Sequence, residues 1–368
     1  MATKDTVDDK APQMAGMAEL VPVLPAHRFD EAALARYLLG RLPGFDGHLE
    51  VRQFQGGQSN PTFHLQTAGA DYVLRKKPPG TLLPRAHEVE REYRVMAALA
   101  ETDVPVPRMQ LLCDDEAVLG TTFFVMEHVA GRVFPDRVMR EETPAHRAAV
   151  YNDLAKVLAA LHRVDWRAVG LEGFGRPEGY MQRQVALWTR QWEATRMEDM
   201  PAMDQLAAWL PGHLPADDAS PCIAHGDYRL GNVLLHPTEP RVVAVLDWEL
   251  STIGNPLADL GYFCVTYHVP AGPRGRSGVL DEDLTGTGLP DQQSFLDSYR
   301  ARAGRDLPDT LDVFVVFSMF RLASITAGVW RRGLEGNAAD SRAGTDEYRE
   351  RYRSMAATAW ELAQTITA

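Results

Sequence analysis

Cysteine is scarce. The 368 residues contain three, Cys113, Cys222 and Cys264, far apart and without a C-x-x-C pair. That spacing offers neither a disulfide framework nor a thiolate zinc site; it suits a reducing compartment and buried structural thiols. Positive charge is also short: 38 Lys and Arg face 50 Asp and Glu, a formal net charge of −12. A nucleic-acid partner would want a basic face, so none is expected. The acidic balance fits a cationic substrate, and it also fits plain solubility. Long apolar runs are missing. The densest late stretch, Val313–Phe320, is too short to span a bilayer. The N-terminus shows no basic segment followed by an apolar one. The expectation is a soluble, cytoplasmic protein with no membrane partner. No internal repeat with a period of about 20–50 residues is visible.

What is present is ordinary for a globular protein, 45% apolar and 24% charged residues. At about 100–200 residues per domain, the length suggests two domains or one fold with two lobes. Residues 1–20 are small, charged and aperiodic and read as a flexible tail. Strands are expected from Val51 to Leu74, broken by a turn cluster at Gly56-Gly57-Gln58-Ser59-Asn60-Pro61, and again at Tyr72–Arg75. Val89, Tyr93, Met96 and Ala100 share one helical face, which predicts a helix over Ala86–Ala100. Phe123–Met126 reads as a buried strand, and the chain turns out of it over Glu127–Gly131.

Beyond Gly131 the character is helical. Thr143-Pro144 is a cap and first-turn pair, and Val150, Leu154, Val157, Leu158 and Leu161 mark one face. A hairpin interrupts the helices at Val233–Leu235 and Val242–Leu246. From about Leu257 onward, helical stretches alternate with Gly/Pro-rich loops, the longest at Pro270–Pro290. The fold class is therefore α+β with two lobes. A mainly β lobe with one helix spans 21–127, a mainly α lobe spans 128–368, and a ligand-sized cleft is expected between them.

The sharpest pattern is His225-Gly226-Asp227-Tyr228-Arg229-Leu230-Gly231-Asn232, with the skeleton H-x-D-x-x-x-x-N. Fifteen residues past Asn232 comes Asp247, at the end of the second hairpin strand. Phosphoryl transfer needs a carboxylate to hold and deprotonate a hydroxyl, and oxygen ligands for Mg²⁺. Asp227 fits the first need, and Asn232 and Asp247 fit the second once the hairpin brings them together. Either Asp227 or Asn232 alone reads as a loop brace; the three in this order do not.

These runs, with Leu246-Asp247-Trp248-Glu249, resemble the catalytic and metal-binding loops of the aminoglycoside phosphotransferases and choline kinases, relatives of the protein kinases. The resemblance covers roughly Val51 to Leu260 and implies a two-lobed protein-kinase-like fold. It implies ATP and Mg²⁺ as cofactors and a small-molecule hydroxyl as acceptor. Asp227 matches the catalytic base, and His225 and Arg229 complete the catalytic set, His225 by orienting the loop. Asn232 and Asp247 match the Mg²⁺ ligands. Asp259 matches a carboxylate that braces the catalytic loop. Gly57, Ser59 and Asn60 lie where the family covers the nucleotide. Arg75 stands at the usual phosphate-binding Lys position, with Lys77 as the alternative and Glu92 as the partner. Glu127 and Val129 match the hinge that contacts adenine through its backbone.

At finer grain the motifs most resemble the kinase-like domain found with some acyl-CoA dehydrogenases, which implies a hydroxyacyl thioester as one acceptor and an aminoglycoside-like molecule as another. The Arg at the Lys position also admits a nucleotide-binding module without transfer. A protein kinase is disfavoured, because no A-P-E-like segment follows Asp247. Oligomeric state is not legible.

Overall fold

A six-stranded antiparallel sheet forms the first lobe of the computed structural model, which describes residues 19–55, 60–78, 88–134, 136–215, 221–271, 278–308, 310–336 and 342–366. Its strands are β1 (Leu20–Val21), β2 (Glu50–Phe54), β3 (Thr62–Gln66), β4 (Asp71–Lys76), β5 (Met109–Cys113) and β6 (Phe123–Glu127), in the order β1-β2-β3-β4-β6-β5. Helix α1 (Glu31–Leu38) precedes β2, α2 (Val89–Leu99) links β4 to β5, and the short α3 (Glu116–Leu119) links β5 to β6.

Period-two alternation explains how the sheet is covered on both faces. Phe63, Leu65, Leu74, Phe123 and Val125 pack with Leu34 and Leu38 of α1. Val73, Phe124 and Met126 face the other way and join Val89, Val95, Met96 and Leu99 of α2 in a core that continues into the second lobe. The unbroken apolar run at Phe123–Met126 is thus a strand buried on both sides.

The expected tail over 1–20 is corrected at its end: Leu20 pairs with Phe54, adding an edge strand too short to show a pattern. Helix α1 and strand β5 were also not anticipated. The α1 signal, an Asp30 cap accepting from the Ala33 N–H at 2.9 Å, is readable in hindsight.

The second lobe carries α4 (Pro144–Arg163), α5 (Tyr180–Thr195), α6 (Pro201–His213), β7 (Cys222–Ala224), β8 (Val233–Leu235), β9 (Val242–Val245), β10 (Thr252–Gly254), α7 (Pro256–Cys264), α8 (Gln292–Ala303), α9 (Leu311–Leu334) and α10 (Asp346–Thr365). Thr143 caps α4, accepting from the His146 N–H at 3.2 Å, with Pro144 in the first turn. β8 and β9 form the expected hairpin. A second ladder, β7 with β10, corrects the expectation of a single one; three-residue strands carry no periodicity to read.

Helix α9 corrects another expectation. The apolar stretch does not stop at Phe320 but runs 24 residues, long and apolar enough to cross a membrane by length and composition. In the fold, 72% of its most apolar window is buried, and it packs on α5, α7 and α10. All three cysteines are buried and unbridged.

Two arginines of α2 tie the lobes together. Arg91 donates to the carbonyls of Phe174 (2.8 Å) and Ser251 (3.2 Å) and lies over the Phe174 ring. Arg94 donates to the carbonyls of Gly170 (3.1 Å) and Glu172 (2.7 Å).

Candidate active site

The hairpin does what its sequence promised. Asn232 stands immediately before β8 and Asp247 two residues after β9, and the Asn232 carbonyl accepts from the Leu246 N–H at 2.8 Å. Asp247 adopts a left-handed backbone, φ 66°, which is costly for a residue with a Cβ and is found where a side chain must be aimed.

Asp227 sits in the loop between β7 and β8. Its Oδ2 accepts from Asn232 Nδ2 at 2.6 Å, and its backbone carbonyl accepts from the same amide at 2.9 Å. Both amide hydrogens of Asn232 are thereby committed, which leaves its Oδ1 as the atom able to meet a cation. Asp227 Oδ1 is buried with no hydrogen-bond partner among the described residues, and the Arg229 Nε lies 3.4 Å away.

The loop is braced from below. Asp259, fully buried in the first turn of α7, accepts from the backbone N–H groups of His225 and Gly226, both at 2.7 Å. His162 Nε2 lies 3.2 Å from the same carboxylate, and the Tyr299 hydroxyl lies 2.8 Å from His162 Nδ1. The network assigns Tyr299 as donor to Nδ1 and Nε2–H as donor to Asp259. Burial holds His162 below the ordinary imidazole value. Burial works to raise Asp259, but His162 and the backbone donors overcome it and hold the carboxylate below its ordinary range.

His225 is spoken for on both ring nitrogens. Nε2 lies 2.9 Å from the Leu246 carbonyl and Nδ1 accepts from the Asp227 N–H at 3.2 Å. It joins the two loops and has no nitrogen left for a substrate. Gly226 has φ +81°, and a Cβ there would meet the Leu250 carbonyl oxygen at 2.7 Å.

On the opposite wall, Arg75 of β4 makes the contact expected of it. Its Nε is 3.1 Å from both carboxylate oxygens of Glu92, and its Nη2 is 3.1 Å from Asp247 Oδ1. Asn60 Nδ2 donates to Glu92 at 2.9 Å. Burial opposes the Arg75 charge, but Glu92, Asp247 and Glu249 overcome it and hold its pKa above the ordinary value. Burial pushes Glu92 up to about 7; Asp247 and Glu249 add to the rise and Arg75 resists it. Lys77 pairs with Glu90 instead.

Asn60, Arg75, Glu92, Asn232 and Asp247 line a cleft of about 710 Å³ between the lobes, together with Phe124, Met126, Glu127, His128 and Val129. Glu127 is anchored by accepting from the Arg108 N–H at 2.9 Å. The expected loop residues Gly57 and Ser59 lie outside the described residues. Sequence reasoning missed Arg137, Arg321 and His162, which come from scattered elements and carry no local motif.

Residues 50–295 match the family model described as Phosphotransferase enzyme family. The chain belongs to the phosphotransferase enzyme family. It is accordingly a phosphotransferase, with the two-lobed fold of that family.

The chain is 45% identical over 349 residues to acyl-CoA dehydrogenase family member 11 of Gallus gallus, covering 93% of this chain and 44% of the relative. The phosphotransferase thus spans less than half the length of the curated relatives it matches. It is also similar to the crystal structure of a putative aminoglycoside phosphotransferase from Ralstonia eutropha JMP134, with a TM-score of 0.83, 45% identity and coverage of 93% and 100%. The ternary complex of aminoglycoside phosphotransferase APH(4)-Ia with AMP-PNP and hygromycin B shares the fold: TM-score 0.58, 15% identity, coverage of 91% and 99%. The resemblance to kinase-like domains of acyl-CoA dehydrogenase proteins is borne out.

Proposed function

We propose that this phosphotransferase moves the γ-phosphoryl group of ATP to a hydroxyl of a small molecule, with Asp227 as the base. The observation that carries the reading is the Asp227 carboxylate. One oxygen is fixed by Asn232, and the other is buried with the Arg229 guanidinium beside it, next to Arg229, Asn232 and Asp247 on the cleft wall. A hydroxyl delivered to Oδ1 would be held and deprotonated there. ATP use is supported by the cleft and by the AMP-PNP held in a neighbour of the same fold.

The donor set fits Mg²⁺: one carboxylate, Asp247, and one free amide oxygen, Asn232, both hard oxygen ligands. Bound there, the ion would neutralise charge on the phosphate oxygens. Arg75 would hold phosphate with its planar fork while Glu92 fixes its pose. The backbone of Glu127 and Val129 would meet the base. Gly57, Ser59 and Asn60 would cover the phosphates. Positioning and charge neutralisation supply most of the rate in such a site.

The acceptor side is cationic. Arg229 lies beside Asp227. Arg137 shares a small cavity with Arg229, Tyr151 and Thr266. Burial holds Arg137 below the ordinary guanidinium value, and the Arg229 charge adds to that. Arg321 lies 5.5 Å from the ring centres of both Trp188 and Tyr262, and its Nε is buried without a hydrogen-bond partner among the described residues. Guanidinium groups so placed repel a cationic aminosugar and favour an acceptor bearing anionic or carbonyl oxygens. That, with the acyl-CoA dehydrogenase name of the relatives, favours a hydroxyacyl thioester.

The test is ADP formation by purified protein with Mg²⁺ and ATP, against hydroxyacyl-CoAs, choline-like alcohols and aminoglycosides, with Asp227→Ala alongside. Stimulation by hydroxyacyl-CoAs that the variant loses is the expected result. Nucleotide binding with no stimulated turnover by any acceptor would favour a binding module instead.

A further inference from the structure

Three side chains that the phosphoryl-transfer reading does not use meet on neighbouring strands of the sheet. His64 lies on β3, Asp71 opens β4, and His128 follows β6 directly. The strands are adjacent in the order β3-β4-β6, and the His128 N–H donates to the Asp71 carbonyl at 3.2 Å, so the backbone itself holds the group together. One ligand atom from each residue lies within 4.8 Å of the other two. His64 Nε2 and Asp71 Oδ2 are 3.1 Å apart. Two ligands on a tetrahedral zinc ion, with bonds of about 2.0–2.1 Å, are about 3.3 Å apart, so this pair already has a ligand-like separation.

A simple ion pair accounts for only part of the arrangement. The His64 side chain is 8% exposed, and its Nδ1 is sealed with no hydrogen-bond partner among the described residues. The His128 ring stands edge-on to His64 at 4.9 Å and is stacked near Phe54.

We propose that His64, Asp71 and His128 form a site for a zinc-class divalent transition metal on the wall of the cleft. Two imidazoles and one carboxylate suit such an ion, whereas Mg²⁺ prefers an all-oxygen set. Because His64 and His128 also line the cleft, the ion's remaining position faces that space. The site shares no residue with Asn232 and Asp247 and stands whether or not the phosphoryl-transfer reading holds.

The experiment is a titration of the full chain with Co²⁺, a coloured stand-in for Zn²⁺, in excess Mg²⁺ to occupy oxygen sites. The expected result is one Co²⁺ per chain with visible-region absorption that Zn²⁺ displaces, and a thermal midpoint raised by Zn²⁺. His64→Ala, His128→Ala and Asp71→Asn should each weaken binding by about 100-fold or more, since loss of a mere supporting contact already costs about 10–100-fold. Asp247→Asn should leave the Co²⁺ affinity unchanged. Thermal unfolding without metal checks that each variant folds. Should His64→Ala fail that check, the partly exposed His128 gives the deciding variant. A wild-type protein that shows no saturable Co²⁺ binding, or a folded His128→Ala that binds as well as wild type, overturns the proposal.

Discussion

Arg75 of the sheet lobe holds Asp247 of the helical lobe across the cleft, Nη2 to Oδ1 at 3.1 Å, while its Nε grips Glu92. One guanidinium thus ties β4, α2 and the loop after β9. A phosphate chain arriving in the cleft would compete with Asp247 for Arg75, and a divalent cation would compete with Arg75 for Asp247. The two exchanges favour each other, which couples nucleotide and metal binding.

Arg75→Ala should raise the KM for ATP by about tenfold or more, the cost of a charged hydrogen bond of roughly 1.5–3 kcal/mol. Arg75→Lys should recover only part of it, because a lysine offers a point charge without the fork. Steady-state kinetics at varied ATP measure both. An alanine variant with an unchanged KM would remove Arg75 from the phosphate site.

Asp227→Asn keeps the shape of the loop and loses the base. The expected drop in kcat is about 10²–10⁴-fold, with nucleotide affinity little changed. Single-turnover phosphate transfer together with calorimetric nucleotide binding separates the two effects. Full turnover in the variant would end the assignment.

Glu92 gives a pH signature in the nucleotide-free protein. Its folded pKa is about 7 against an ordinary 4.5, so folding favours the protonated form. The stability it contributes is complete below about pH 4.5 and is lost as pH rises through about 7. Glu92→Gln removes that dependence. The difference in unfolding midpoint, variant minus wild type, should therefore grow between about pH 5 and 8. A flat difference across that window would contradict the raised pKa.

Asp259→Ala should unfold more easily by about 3–5 kcal/mol in denaturant titrations, because two backbone N–H groups and His162 lose a buried partner at once. Asp259→Asn should fold better than the alanine variant but lower kcat more than KM, since the loop carrying Asp227 is steered through this carboxylate. An alanine variant as stable as wild type would show that the brace is dispensable.

The parts of the site that could be read from the chain are those whose geometry is local. The H-x-D-x-x-x-x-N run and Asp247 are joined by a single hairpin, so spacing alone brings them together, and the Arg75 contact follows from one strand and the next helix. His162, Arg137 and Arg321 could not be read this way. They arrive from α4, the segment before it and α9, and only tertiary packing shows that they surround the same loop. Helix α9 was underestimated because the densest apolar stretch, Val313–Phe320, covers only part of it; in the fold Arg321, the next residue, lies over the rings of Trp188 and Tyr262. The β7–β10 ladder was invisible because three residues hold no period.

Helix α2 is fastened at both ends of its function: Glu92 faces the cleft, while Arg91 and Arg94 are anchored on carbonyls of the helical lobe. A helix moored in this way is a poor lever. Swinging it out, the off-switch open to a kinase whose corresponding helix is held only by its own lobe, would here break four hydrogen bonds to the far side of the molecule. The Arg75–Glu92 pair is therefore held in place by the same packing that joins the two lobes.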